Sequence, residues 1–389
     1  MAKVFLIKGK EARVLDGHPW IFKSDINEVY GKFSNGDIVD VYSSRNRFLG
    51  RGYLNTKSQI TIRMMTYEEE DINSDFLYKR IHAAWEYRKK VADTMSCRAV
   101  FAESDFLPGL IVDKFSDYLV VQTLALGIDM FKSQIVEILD DIIKPAGIYE
   151  RNDVHVRELE GLDQRTGFLK GPFDTNVEMV ENGVKFIVDV AKGQKTGFFL
   201  DQKENRAAIK PFVKDARVLD CFTHTGSFAL HAAHYGASSV LGIDVSEHAV
   251  QCAAHNAKIN DLDTNCSFEA ANTFDKLREF YDNNETFDVI ILDPPAFTKS
   301  RSAVEGAVRG YKEINLRAMK IIESGGFLVT CSCSHHVSPD LFMDILYNAA
   351  IDSKRKVRLI EQRSQAKDHP ILLASEETEY LKCVILQVV

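Results

Sequence analysis

Two strand endings hold most of the side chains that could do chemistry. The apolar run Phe287-Asp-Val-Ile-Ile-Leu stops in Asp293-Pro294-Pro295-Ala296-Phe297, and Gly325-Gly326-Phe-Leu-Val-Thr stops in Cys331-Ser332-Cys333-Ser334. A short β run that ends in acidic or thiol groups instead of a plain turn is the pattern of a site at the carboxyl edge of a parallel sheet. A thiolate can attack an electrophilic carbon while a carboxyl group handles a proton, so this pairing suits covalent catalysis with acid assistance.

A third cluster suggests what else enters the site. One strand ends in Asp220-Cys221-Phe222-Thr223-His224-Thr225-Gly226-Ser227-Phe228 and the next in Gly242-Ile243-Asp244. An acid closing the second strand can accept hydrogen bonds from both ribose hydroxyls of a nucleoside, and Gly226 lets backbone approach a ligand. A single glycine stands where a dinucleotide pattern needs three, which disfavours NAD. The frame D-x-F-x-x-x-G-x-F after strand one, an acid after strand two and D-P-P after strand four resembles class I S-adenosylmethionine-dependent methyltransferases. That resemblance implies S-adenosylmethionine as cofactor, held by Asp220, Phe222, Gly226, Asp244 and Asp293. Asn272 falls where such enzymes usually carry an acid beside the adenine amino group, and its amide can pair there.

The elements that must position these groups follow from periodicity. From residue 217 onward strands read at 217–221, 239–243, 266–269, 288–292, 327–331, 357–361 and 381–388, with helices between most of them. Such alternation predicts right-handed βαβ units and a doubly wound, Rossmann-like parallel sheet covered on both faces. In the doubly wound order strand four lies beside strand one and strand five beside strand four, so Asp220, Asp293 and the Cys331/Cys333 segment should converge. Extended backbone through residues 331–333 would put both cysteines on one face.

Upstream the pattern differs. Residues 1–70 show short β runs at 3–7, 37–42, 48–55 and 60–64 with turns at Asn35-Gly36 and Gly50-Arg51-Gly52, a small β barrel or sandwich. Residues 71–175 open with a helical stripe, Phe76, Leu77, Ile81, Ala84, Trp85 and Val91, and continue as a compact α+β segment with strands at 110–112, 118–124 and 147–151. Residues 176–389 begin with a hairpin about Asn182-Gly183, the strongest short hairpin signal. Next comes a glycine-punctuated loop running from Lys192 to Arg206.

Composition sets the frame. A chain of 389 residues with 45% hydrophobic content buries ample core, and no run approaches the roughly 18 apolar residues of a membrane span. The apolar stretch before Lys8 is too short for a signal-peptide core, so the cytoplasm is the expected location. Seven cysteines without a secretory signal imply reduced thiols. No second Cys or His pair accompanies Cys331-x-Cys333-x-His335-His336 at zinc-finger spacing, and no metal is expected. The net charge of −8 conceals an asymmetry: residues 1–66 carry 11 Lys+Arg against 6 Asp+Glu, and the rest carries 37 against 50. A small basic module on an acidic body suits polyanion capture at one end, with Arg13, Lys23, Arg45, Arg47, Arg51 and Lys57 as candidate phosphate contacts. Composition leaves a homodimer open.

A thiolate beside a methyl donor points to one reaction in particular. Cytosine C5 is too poor a nucleophile to take a methyl group directly; attack by a thiolate at C6 makes C5 enamine-like, with an acid facing N3. Cys333 is the candidate attacker and Asp293 the candidate acid, with Cys331 either a second catalytic thiol or buried filler. Asp293-Pro-Pro also occurs in enzymes that methylate exocyclic amino groups without a cysteine, though these usually place an aromatic directly after the prolines, where Ala296 stands.

Nearly the whole chain resembles the bacterial large-subunit (23S) rRNA cytosine-C5 methyltransferase family with an N-terminal PUA domain. The strings that carry this are His18-Pro19-Trp20-Ile21-Phe22, Lys195-Thr196-Gly197-Phe198-Phe199-Leu200-Asp201-Gln202, Leu292-Asp-Pro-Pro-Ala296-Phe297, Arg309-Gly310-Tyr311-Lys312 and Cys331-Ser-Cys-Ser334. The resemblance implies 5-methylcytosine formation in 23S rRNA. It also implies that Thr196, Gly197, Phe198, Asp201 and Gln202 wall the methionine end of the cofactor, and that Tyr311 lies near the target base. A guanine amino-group methyltransferase using Asp293-Pro-Pro without covalent catalysis, and an RNA-binding ribosome assembly factor without activity, are the competing readings.

Overall fold

The computed structural model describes residues 1–298 and 300–389. The chain forms two compact units, each built from three stretches of sequence. The first comprises Met1–Met179, Val188–Leu200 and Lys367–Thr378; the second comprises Val180–Ile187, Asp201–Ala366 and Glu379–Val389. No helix among the described residues is long and apolar enough to cross a membrane.

In the first unit, the basic N-terminal stretch is a six-stranded sheet. Its strands run in the order Trp20–Phe22, Ile60–Thr66, Phe48–Leu54, Ile38–Tyr42, Ala2–Leu6, Ile26–Tyr30. Val4, Leu6, Val39, Val41, Leu54 and Ile62 alternate inward to form its core, as the period-two pattern requires. Two of these strands, Trp20–Phe22 and Ile26–Tyr30, are unmarked in the sequence pattern, since neither shows a run of alternating apolar residues. Helix Ser74–Val91 follows, and its N-cap is Asn73, whose side chain accepts from the Phe76 N–H. Its apolar stripe packs on a second sheet of five strands, Ser96–Phe101, Leu110–Phe115, Tyr118–Thr123, Gly147–Asn152 and Arg165–Lys170.

The second unit carries the seven-stranded sheet. Its strands are β1 (Arg217–Cys221), β2 (Ser239–Asp244), β3 (Cys266–Ala270), β4 (Phe287–Leu292), β5 (Ile322–Ser332), β6 (Val357–Arg363) and β7 (Lys382–Val388), in the spatial order β3-β2-β1-β4-β5-β7-β6. Strands β1 to β5 pair in parallel, whereas β7 runs antiparallel to both β5 and β6. The sheet is therefore mixed, not wholly parallel: the long connection over residues 364–381 holds no α-helix and returns the chain antiparallel. Side chains alternate between two buried faces: Leu219, Ile290, Leu292 and Leu328 pack on one side, and Val218, Val289, Ile291 and Val329 on the other. Burying each such side chain contributes roughly 1.5–3 kcal/mol. Helices α1 (Ser227–His234), α2 (Glu247–Ile259), α3 (Thr273–Asp282), α4 (Val304–Ile321) and α5 (Pro339–Ser353) cover the faces.

Asn182 (φ 49°) and Gly183 (φ 87°) both lie in the left-handed region, the geometry that an Asn-Gly hairpin turn needs. Just before this turn, the Glu181 carboxylate grips the Arg206 guanidinium through Nε at 2.5 Å and Nη2 at 2.9 Å, with both side chains fully buried. Removing one member of a buried pair strands the other charge in a poorly solvating interior. We expect Glu181→Gln to lower the unfolding free energy by about 3 kcal/mol in urea titrations; a loss under about 1 kcal/mol would mean that water already screens the pair.

Candidate active site

Strand β1 delivers Asp220 to its carboxyl end, where the side chain is buried. Oδ2 accepts from the Thr223 hydroxyl at 2.6 Å and from the Ala229 N–H at 2.9 Å. Oδ1 is buried and has no hydrogen-bond partner among the described residues. Burial, reinforced by the nearby Asp293 and Asp244 charges, raises the carboxyl to about 7, against the pull of its two hydrogen bonds. An acceptor left open in the interior is a place for a polar ligand.

The loop after Asp220 is wound tightly. Phe222 (φ 63°), His224 (φ 52°) and Gly226 (φ 84°) are all left-handed, an alternation that costs conformational energy at the two non-glycine positions. The loop is pinned by the Thr223 N–H to the Ile243 carbonyl at 2.9 Å and the His224 N–H to Asp244 Oδ2 at 2.9 Å. A Cβ on Gly226 would stand 3.1 Å from the Ala253 Cβ and 3.3 Å from Leu230, so glycine there lets α1 and α2 pack closely. Asp244 is half-buried at the end of β2 and also accepts from the Ser246 N–H at 3.0 Å. Asn272, exposed after β3, accepts from the Phe274 N–H at 2.9 Å and caps α3.

At the end of β4, Asp293 is half-buried. Its N–H reaches the Cys221 carbonyl at 3.4 Å, and its Oδ1 accepts from Gln202 Nε2 at 2.9 Å. Gln202 in turn accepts from Asn205 Nδ2 at 2.7 Å. Asp201 is buried, with Oδ2 accepting from the Tyr380 hydroxyl at 2.6 Å. Asp201, Gln202, Asp220, Asp244 and Asp293 thus belong to one unit and one polar neighbourhood. Thr196, Gly197 and Phe198 fall in the first unit instead. There Thr196 donates to Asp113 at 2.5 Å, and Arg98 holds the same carboxylate at 2.8 Å through two nitrogens. Arg151 binds the Val190 and Gly193 carbonyls at 2.8 and 3.0 Å, fixing the start of that loop.

The two cysteines part company. Cys331 is fully buried among Val329, Ile385 and Cys383, directly opposite Cys383 in register. The Cys383 contact and burial push its thiol well up from the ordinary range, so it packs as a neutral side chain. Strand β5 ends at Ser332, so the alternation that would put both sulfurs on one face does not extend to Cys333. Cys333 is half-buried, with its sulfur 3.9 Å from the Pro294 carbonyl, beside Asp293. Tyr311, which the resemblance puts near the target base, is fully buried: its ring packs on Phe297 and Phe342, and its hydroxyl lies 2.9 Å from Ser334 Oγ.

One residue at this edge carries no sequence signal. Lys382, the first residue of β7, is buried at 6% exposure and donates to the Ser334 carbonyl at 2.8 Å and the Tyr380 carbonyl at 3.0 Å. Among the basic candidates of the N-terminal sheet, Lys23, Arg45, Arg47 and Lys57 are exposed. Arg51 instead binds Asp40 at 2.7 Å and Asp71 at 3.2 Å, which corrects its reading as a phosphate contact.

Acids closing β1, β2 and β4 of a doubly wound sheet, with a strained glycine loop after β1, define a class I S-adenosylmethionine-dependent methyltransferase. The family described as S-adenosylmethionine-dependent methyltransferase matches residues 156–371, and a PUA-like domain family matches residues 4–67. The chain is 40% identical to ribosomal RNA large subunit methyltransferase I of Tolumonas auensis and 42% identical to that of Aliivibrio fischeri, covering 99% of this chain and 99% of each relative. It belongs to the ribosomal RNA large subunit methyltransferase I family. Solved structures agree on the fold: a chain from Streptococcus mutans described as an S-adenosylmethionine-dependent methyltransferase superposes with a TM-score of 0.84 at 20% identity over 100% of both chains. A second, complexed with SAH, gives 0.86 at 20% identity and the same coverage. The protein is a methyltransferase and its methyl donor is S-adenosylmethionine.

Asp220 yields a pH test in the ligand-free protein. An unfolded carboxyl titrates near 3.9, and the folded one is raised to about 7. The raised value means that the protonated group favours the fold; its contribution is whole below pH about 4 and is lost as pH climbs to about 7. Asp220→Asn keeps an acceptor for Thr223 and Ala229 and cannot ionise. The Tm advantage of D220N over wild type should therefore grow between pH 4 and 7 and level off above; a constant difference across that window refutes the raised carboxyl.

Proposed function

We propose that the protein forms 5-methylcytosine in large-subunit (23S) rRNA through a covalent bond between Cys333 and C6 of the target base. The observation that carries this is the placement of Cys333: a half-buried residue whose sulfur lies beside the Pro294 carbonyl, one residue beyond Asp293 on the neighbouring strand end. The names borne by its relatives support the substrate, and the PUA-like match supports RNA capture by residues 1–70. Exposed Lys23, Arg45, Arg47 and Lys57 would meet phosphates there, contacts that position RNA without reading its sequence. Residues 71–175 would form a central α+β domain and residues 176–389 the catalytic one. On this reading the enzyme works in the cytoplasm, where its thiols stay reduced.

The cofactor fits the residues present, since Asp220 Oδ1 is a buried acceptor awaiting a donor and Asp244 still has lone pairs to offer. Asp220, Phe222, Gly226, Asp244 and Asn272 would hold its nucleoside half, and Asp201, Gln202 and Asp293 its methionine half. S-adenosylmethionine supplies an electrophilic methyl group on a sulfonium.

The chain's own part in the reaction starts from the Cys333 thiolate. Its sulfur bonds to C6, the C5–C6 π pair moves onto C5, and Asp293 faces N3 to stabilise the added charge. Once C5 is methylated, a base removes the C5 proton, the pair re-forms the double bond, and the C6–S bond breaks to return the thiolate. Cys331, sealed and neutral, fills space in the sheet, so the mechanism uses one cysteine.

RNA carrying 5-fluorocytidine at the target cannot lose fluorine at the proton-removal step. It should trap a stable protein–RNA adduct with wild type and with Cys331→Ala, and none with Cys333→Ala. Adduct formation by C333A, or its loss in a folded C331A, overturns the assignment. Bisulfite mapping of rRNA from cells lacking the gene should show one cytidine losing its mark; an unchanged map removes the cytosine reading altogether.

A further inference from the structure

The reading above leaves open how Cys333 becomes a thiolate near neutral pH, where an ordinary cysteine with its thiol near 8.5 is mostly protonated. Its sulfur lies 3.9 Å from the Pro294 carbonyl, an acceptor that does nothing to favour an anion. The strand next door does. Lys382 opens β7 opposite Ser332, the last residue of β5, so its side chain starts across from the segment that carries Cys333. The ammonium then binds the carbonyl of Ser334, the residue directly after Cys333, at 2.8 Å and that of Tyr380 at 3.0 Å. Two carbonyls occupy two of its three donors and hold the charge at the turn that presents the sulfur.

Such burial calls for a reason. Lysine is almost never buried without a paired charge, and two neutral carbonyls are poor compensation for lost hydration. We infer that Lys382 is the positioning residue for Cys333: its ammonium stands as the counter-ion of the thiolate and, through the Ser334 carbonyl, fixes the turn that aims the sulfur. This rests on the covalent reading proposed above and deepens it. In ionising, the Cys333 thiol gives its proton to solvent; Lys382 stays an ammonium throughout and transfers no proton.

The electrostatics agree. Burial lowers the amine to about 8, while the Cys333 charge, and after it that of Glu379, pulls it back up. The attraction is reciprocal, so an ammonium that gains from the thiolate also favours its formation. Other charged groups stand at this corner, and Asp293, beside Cys333, opposes its ionisation. Glu379 and Arg363 line a cavity of about 260 Å³ together with Lys382, and Arg363 is bound to Glu361 at 2.7 Å and to Asn205 at 3.0 Å. Tyr311 feels the Cys333 charge as well, but it is a buried neutral phenol. Above pH about 8 the amine loses its proton, and the support for the thiolate fades.

The test reads the thiol without cofactor or RNA. Iodoacetamide is reacted with the full-length protein across pH 5 to 10, and alkylation of the Cys333 peptide is followed by mass spectrometry. Wild type should show a midpoint below the ordinary value near 8.5. Lys382→Met should raise it by at least one unit, about a tenfold loss of thiolate at neutral pH, and Lys382→Arg should restore it. A wild-type midpoint at or above the ordinary value overturns the inference without any variant, which covers the case of a K382M that does not fold. An unmoved midpoint in a folded K382M overturns it too and leaves the lysine a clamp on two carbonyls. The 5-fluorocytidine adduct separates the two ideas: adduct in wild type with an unmoved K382M midpoint sinks only the counter-ion, whereas a shifted midpoint with no wild-type adduct sinks only the covalent reaction.

Discussion

The parallel pairing of β1 with β4 and of β4 with β5 is the constraint on which the rest depends. In-register neighbours Cys221 and Leu292, then Leu292 and Thr330, bring three strand ends to one edge. The contact from the Asp293 N–H to the Cys221 carbonyl carries that alignment one residue past the ladder, so the acid leaves the sheet in a fixed direction. A one-residue slip in such a sheet would turn every side chain to the opposite face. Here it would exchange the packed Ile290 and Leu292 for Val289 and Ile291, and it would carry the acid away from the thiol. Both faces are apolar, so what resists such a slip is the fit of these side chains in their two layers, not exposure to water.

The same edge concentrates groups that a stable protein would avoid. A carboxylate with one oxygen unsatisfied, two left-handed non-glycine residues and a buried amine all lie at the carboxyl ends of β1, β5 and their neighbours. Each is unfavourable in isolation, and each is tolerated because the strands beneath are fully buried. The polar contacts form a chain: Asn205 to Gln202, Gln202 to Asp293, and separately Tyr380 to Asp201. Helical and loop residues outside the sheet thereby stabilise the acid that the sheet presents.

Much of this was legible in residue order. Strand–helix alternation specified the doubly wound sheet, Asn182-Gly183 specified its turn, and the acids after strands one, two and four marked the edge where they stand. What stayed hidden has physical causes. Strand direction leaves no trace in periodicity, so the antiparallel β7 reads as one more parallel strand. Arg165–Lys170 lies at a sheet edge with a mostly exposed or half-exposed surface, and a glycine interrupts it, so no apolar alternation announces it. Tyr311 has the spacing of a packed residue and the chemistry of a stacking one, and only coordinates separate the two. Lys382 is one cation at the start of an apolar strand, indistinguishable by type from an exposed strand boundary.

The Glu181–Arg206 clasp has a consequence for how this architecture could be taken apart. Its carboxylate lies on a stretch of only eight residues, Val180–Ile187, flanked on both sides by chain that belongs to the other unit, while its guanidinium comes from the helix Lys203–Ala208. A catalytic fragment cut at the natural-looking start of the helix would keep the cation and discard the anion, leaving an uncompensated charge in its interior. A fragment of this unit that retains Arg206 must carry the hairpin along if that charge is to stay paired.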